Sequence, residues 1–165
     1  MPHQTSVEYL DGIGFLGDQV MAVHGVQCSD SDLALLRTHG STVVSCPRSN
    51  QYVGVGSPPI DRFYKSGVKV AFGTDSLASV EDLNVFGELA EAHRLAPAVP
   101  PRALLESATF IGARALGFER DLGSIEPSKR AALIAVRVPD DVQDVEKYLV
   151  SGVTPDRISW IPTAA

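Results

Sequence analysis

A chain of 165 residues that is 44% hydrophobic and 21% charged has apolar material for one domain with its own core, and argues against intrinsic disorder. Its formal net charge is −6 and no cluster of Lys and Arg interleaves with aromatics, so nucleic acid and anionic membranes are not expected partners, while small polar or neutral ligands remain open. No run approaches the roughly 20 apolar residues that span a bilayer. Met1 to Leu10 has neither a basic start nor an apolar signal core, which makes a cytoplasmic location the expectation.

From the N-terminus, Val7, Leu10, Ile13 and Leu16 are spaced as one helical face that Gly17 ends. Val20 to Val26 reads as a buried strand with His24 near its end. A single histidine on an apolar strand is ordinarily a hydrogen-bonded core residue, so His24 becomes a candidate only jointly with other signals. Ser29, Asp30 and Ser31 can cap a helix with Leu33, Leu35 and Leu36 inward, and His39 in its last turn reads as a surface partner of the helix dipole. Thr42 to Cys46 is a third element, a strand, followed by Pro47 to Ser57, whose glycines, serines and Asn50 predict an irregular and functional loop. Pro58 and Pro59 open a helix through Ile60, Phe63 and Tyr64 to Gly67.

Val68 to Ser76, VKVAFGTDS, is the stretch around which the rest is organised. Its β-branched and aromatic run is too short for a helix and reads as a strand buried on both faces, so Asp75 falls at a strand's C-terminal edge. Ligands bind at that edge in α/β folds, although an Asp-Ser turn or helix cap accounts for the residue types equally well. The order strand, helix, strand, helix, strand fits right-handed βαβ units in a parallel sheet. In a barrel, His24, Cys46 and Asp75 would then converge on one mouth. Cys28 and Cys46 lack the spacing of a metal site or a disulfide framework and are expected as buried, reduced thiols.

Asp82 to Leu95 is an amphipathic helix with Leu83, Phe86, Leu89 and Ala90 inward, and with Glu81, Glu88, Glu91, His93 and Arg94 toward solvent. Beyond Pro97 to Pro101, Arg102 to Ala108 and Phe110 to Leu116 read as two helices divided around Thr109. Leu122 to Ile125, Leu133 to Val138 and Ile158 to Ile161 read as strands, and Val145 to Leu149 as a short helix or edge strand. This tail differs from the alternating part, which places a boundary near Gly117 to Gly123 and divides the chain into residues 1–117 and 118–165.

Several of these pieces together resemble the amidohydrolase superfamily, in the branch of triazine chlorohydrolases and of guanine, cytosine and adenosylhomocysteine-type deaminases. They are AVHGV at Ala22 to Val26, SCPRSN at Ser45 to Asn50, GTDSLAS at Gly73 to Ser79 followed by DLNVF, SATFIGARALGF at Ser107 to Phe118, and LGSIEPSKRAALI at Leu122 to Ile134. The resemblance implies an α/β fold, a partial (β/α)8 barrel of strands six to eight with part of a small C-terminal β-sandwich. It implies that Asp75 ligates a divalent metal, with zinc foremost and iron or manganese as alternatives, and moves a proton from the attacking water to the leaving amine. His24 would polarise or hydrogen-bond the substrate, or ligate in a two-metal centre, while Asn50, Ser49 and Ser76 would bind substrate or position the loop beside the site.

The chain also departs from the family's pattern. The first-strand HxH pair, the fifth-strand His and a substrate-binding Glu belong upstream of residue 7, and His3 stands alone in PHQTS. Ser128 replaces a glycine of the family's PGK turn, and Ala132 replaces the Asp of its ADL. The expectation is therefore the C-terminal portion of a metal-dependent C–N hydrolase, a deaminase of an aminated heterocycle that is inactive as this chain alone. The alternatives are a catalytically dead structural or interaction module, and a chain completed by a missing N-terminal half or by another copy in a homo-oligomer.

Overall fold

A computed structural model describes residues 4–162 of the chain, so His3 lies outside the described residues. Three short strands, β1 (Met21–Val23), β2 (Thr42–Ser45) and β3 (Lys69–Phe72), form a parallel sheet in the order β1-β2-β3. Val23 pairs in register with Val44, and Ser45 with Phe72, so the three strands end at nearly one level. Each crossover carries a helix, α2 (Asp30–Thr38) after β1 and α4 (Ile60–Ser66) after β2, as the alternation of apolar runs and caps requires. Leu33 and Leu36 of α2, Val43 of β2, and Ile60 and Phe63 of α4 are sealed from solvent and make the centre of the core.

The N-terminal helix α1 (Ser6–Gly12) is shorter than its apolar spacing predicts. Thr5 caps it and also donates to Asp32 Oδ1 at 2.5 Å, while Asp32 completes the capping box of α2, so one hydroxyl ties two helix starts together. His39, half-exposed as expected, pairs with Asp11 through Nε2 at 2.7 Å and closes the other end of the same helix pair. β1 is not the doubly buried strand that its sequence suggests, for Met21 and Val23 are 41% and 52% exposed. No described strand pairs with its outer edge, so the sheet satisfies only one of its two edges.

Three further expectations are corrected. Residues Pro47–Tyr52 form a helix, α3, where an irregular loop was expected, because its first free N–H, that of Arg48, is met by the Glu88 carboxyl from 40 residues away. The next helix, α5 (Val85–Leu95), starts only after its cap Asn84, which leaves Leu83 57% exposed, whereas Glu88, expected in solvent, is fully buried. The two helices divided at Thr109 are one continuous rod, α6 (Pro101–Glu106), a π-helical turn over Ser107–Ile111 and α7 (Gly112–Ala115). Thr109 sits within the rod with its hydroxyl bonded back to the Leu105 carbonyl at 2.7 Å, and the wide turn absorbs the extra residue.

In the tail, β4 (Ile134–Val136) and β5 (Ile158–Trp160) pair antiparallel, and α8 (Val145–Leu149) is a helix. Val150 behind α8 is buried in the main core. Leu122 to Ile125 is not a strand: Gly123 has φ +92° and its backbone lies flat on the π-helical turn. A Cβ on Gly123 would sit 2.6 Å from Ala113 Cβ and 3.1 Å from Phe110 Cα. Ser128, where the resembled family has glycine, holds the left-handed φ of 73° that glycine adopts freely.

Two substitutions should therefore move stability in opposite directions. Gly123→Ala should cost at least about 2 kcal/mol in urea unfolding, combining overpacking with a left-handed residue that carries a side chain. Ser128→Gly, at an exposed position, should leave stability unchanged or raise it by up to about 1 kcal/mol, since relieved strain exceeds the added chain entropy. A tolerated alanine at 123 together with a destabilising glycine at 128 would contradict these backbone assignments.

Candidate active site

The sheet's C-terminal end carries two residues with positive φ that are not glycine, His24 at 69° and Asp75 at 63°. Left-handed backbone is uncommon for side-chain-bearing residues, though His and Asp are among those enriched in it, and strained residues gather at functional sites. At His24 the turn continues through Gly25, also left-handed at φ 63°, where a Cβ would press on Phe63 at 3.1 Å and Val43 at 3.3 Å. A side chain at 25 would thus collide with the core, and the chain must turn there to put the imidazole over the strand ends.

The two side chains face one another, His24 Nε2 lying 3.8 Å from Asp75 Oδ2, with both partly open to solvent. Each is anchored by α3. Asn50 Oδ1 lies 2.8 Å from His24 Nδ1, and with that oxygen as acceptor the imidazole carries a proton on Nδ1 and turns Nε2 toward Asp75. Ser49 Oγ donates to Asp75 Oδ2 at 2.7 Å, and the Ser76 N–H donates to Oδ1 at 2.8 Å. The hydrogen bond from Ser49 first, then those of the Ser79 hydroxyl and Ser76 N–H, and last the charge of His24, hold the Asp75 carboxyl below the usual carboxylate range. Asp75 is thereby kept ionised, the form that binds a cation or accepts a proton.

Sequence reasoning brought His24, Asp75, Asn50 and Ser49 to one place, and the structure assembles all four at the strand ends. Ser76 contributes its backbone and stays exposed. Cys46 does not join them: it is 2% exposed, and burial, with the charges of Asp75 and Glu88, pushes its thiol up to about 11. Cys28 and Cys46 are both unpaired. Two residues escaped the sequence reading. Ser79, nearly buried, lies 3.0 Å from Ser49 Oγ and backs the hydroxyl that holds Asp75. Glu88 accepts from the Arg48 N–H at 3.0 Å beneath α3. Nothing in the sequence marked Glu88, since the helix whose first N–H it accepts was itself expected as a loop.

Beside the pair opens a cleft of about 790 Å³, lined by α1, the β1 edge and α3, with His24, Asp75, Asn50 and Ser49 in its wall alongside Val23, Val53 and Val55. Apolar walls with a few convergent polar groups are the usual form of a small-molecule site. His24 Nε2 and Asp75 Oδ2 are the donors this cleft offers a metal ion, and their separation is below the roughly 4 Å of two zinc–ligand bonds end to end. Among the described residues no third His, Cys, Asp or Glu joins them.

Comparison with known proteins shows the family of the chain. A family model described as the amidohydrolase family matches residues 1–157. A 5-methylthioadenosine/S-adenosylhomocysteine deaminase of Halobacterium salinarum is 42% identical over 137 residues, covering 79% of this chain and 31% of its own length. A 5'-deoxyadenosine deaminase of Methanosarcina mazei is 39% identical over 140 residues, 81% of this chain and 32% of its own. Among solved structures, an adenosine deaminase from Xanthomonas campestris with bound zinc superposes with a TM-score of 0.85 at 34% identity, over 91% of this chain and 37% of that one. A triazine hydrolase variant gives a TM-score of 0.81 at 27% identity, over 94% and 37%. The chain thus spans about a third of the length of these relatives. With a family model matching residues 1–157 and identities of up to 42% to these relatives, the chain belongs to the amidohydrolase family.

Proposed function

We propose that this chain forms part of a metal-dependent hydrolase that replaces the amino group of an aminated heterocycle with oxygen, consuming water and releasing ammonia. The observation that carries this reading is the facing pair of His24 Nε2 and Asp75 Oδ2 at the ends of parallel strands. The relatives named as deaminases of adenosine-type compounds, and the triazine hydrolases, support a nitrogen-rich ring as substrate. In this reading β1, β2 and β3 are strands six, seven and eight of an eight-stranded barrel, and residues 118–165, with β4 and β5, belong to a small β-sandwich.

Asp75 would hold the ion, joined by His24 only in a two-metal centre, with the remaining ligands supplied from outside this chain, since a catalytic zinc takes three protein ligands as a rule. Zinc is favoured because the adenosine deaminase relative contains it, and imidazole and carboxylate suit iron or manganese as well. When bound, such an ion lowers the pKa of water toward neutral and makes it a nucleophile. Asp75, kept ionised by Ser49 and the Ser76 N–H, accepts the proton of the attacking water and returns it to the leaving amine. His24, oriented by Asn50, serves with Nε2: protonated, it donates to the substrate, and neutral, it ligates a second ion. Ser49 and Ser76 position the carboxylate, and the apolar wall of Val23, Val53 and Val55 receives the ring.

The test joins this chain to an upstream segment that supplies an HxH pair and a further strand histidine, and measures ammonia release from adenosine-type and triazine substrates with metal added. The joined protein should be active and this chain alone inactive. Asp75→Asn, which keeps the shape but not the charge, should lower kcat by roughly 10²–10⁴-fold, and His24→Ala should also impair turnover severely. Full activity of the Asp75→Asn protein with metal in excess would sink the reading.

A further inference from the structure

We infer that Glu88 is the positioning residue of the His24–Asp75 pair, acting through the first turn of α3 while touching neither side chain. The inference rests on the proposed role of that pair and concerns what holds it in place. Three consecutive residues of α3 reach three different partners: the Arg48 N–H meets Glu88 Oε2 at 3.0 Å, Ser49 Oγ meets Asp75 at 2.7 Å, and Asn50 Oδ1 meets His24 at 2.8 Å. The helix cannot cap itself, for Cys46 makes no side-chain cap bond and Pro47 has no N–H, which leaves Arg48 as the first donor. Its acceptor comes from α5, 40 residues away in sequence. A shift of that first turn would carry Ser49 and Asn50 with it, and hydrogen bonds to both site residues weaken over a few tenths of an ångström.

Glu88 is poorly explained as a packing residue. It is 0% exposed, its Oε1 finds no hydrogen-bond partner among the described residues, and the Arg48 guanidinium stays 3.7 Å from it while bonding Asp82 at 2.8 Å. An apolar side chain would fill the same space without that cost. The groups facing the carboxyl are Arg48 from α3, Asp82 before α5, Glu91 on α5 itself and the Cys46 thiol at the end of β2. Burial first, then the repulsion of Asp82 and Glu91, outweighs the Arg48 N–H and charge and pushes Glu88 from 4.5 up to about 7. A raised carboxyl contributes stability that is fully present below 4.5 and is lost as pH rises to about 7, so the ionised group is retained at a cost to the fold.

The experiment is nitrogen-15 NMR of this chain above the Glu88 midpoint, reading the imidazole tautomer of His24. Wild type and Glu88→Gln, which keeps an acceptor for the Arg48 N–H, should show His24 protonated at Nδ1. Glu88→Leu, which fills the volume but accepts nothing, should lose that signature and show the mixed pattern of a free imidazole. Val150→Ala, a core truncation outside α3, should retain it and so separates positioning from general destabilisation. An unchanged His24 signature in Glu88→Leu would overturn the inference, whatever Asp75→Asn does to catalysis in the joined enzyme. Should Glu88→Leu fail to fold, the pH response of wild type decides. Ser49 and Asn50 backbone amides that share with the Arg48 backbone amide a transition near about 7, absent in Glu88→Gln, support positioning, whereas a transition at Arg48 alone overturns it.

Discussion

The parallel register of β1, β2 and β3 is the constraint on which the site depends, because Ser45 and Phe72 end β2 and β3 side by side and Val23 ends β1 one residue short of them, opposite Val44. Whatever follows each strand is delivered to the same edge, and here the followers are His24, the Cys46–Pro47 start of α3, and Asp75. Slippage by one residue would reverse the direction of every side chain on a strand, so the register that seals Val43 and Val70 in the core also aims the polar groups.

The strand ends achieve this by strain that is locally offset. A left-handed, side-chain-bearing residue costs on the order of 1–3 kcal/mol, and His24 and Asp75 adopt it within reach of one another. Asn50 and Ser49 hold the two side chains in compensation, while Gly25 supplies a left-handed turn where a Cβ would crowd Phe63 and Val43. The result is a histidine nitrogen and a carboxylate oxygen facing each other across a gap that neither closes with a short hydrogen bond of its own, an arrangement suited to a shared third atom.

Much of this was legible in the sequence. The apolar runs and caps placed all three parallel strands, the helices α2 and α4, and the residues His24 and Asp75, because hydrophobic periodicity and capping are local properties. The left-handed demand at Ser128 was also visible, as a serine standing where the resembled family has glycine. Less visible was the length of each strand: β1 ends at Val23 and not Val26, since the turn through His24 and Gly25 is dictated by Phe63 and Val43 packing beneath it.

What the sequence by itself determined was the alternating α/β order and the identity of the carboxylate and imidazole at the strand ends. Tertiary structure alone decided that Pro47–Tyr52 is helical, that Glu88 is buried, that Cys46 is withdrawn from the cleft and that Leu122 to Ile125 is no strand. The physical reason is common to all four. Each depends on a partner distant along the chain, Glu88 for the Arg48 N–H, α3 for the room around Glu88, Gly73 and the sheet for the Cys46 sulfur, and the π-helical turn for Gly123. Periodicity records which face of an element is apolar, but it does not record which buried polar group will be met there by a partner able to satisfy it.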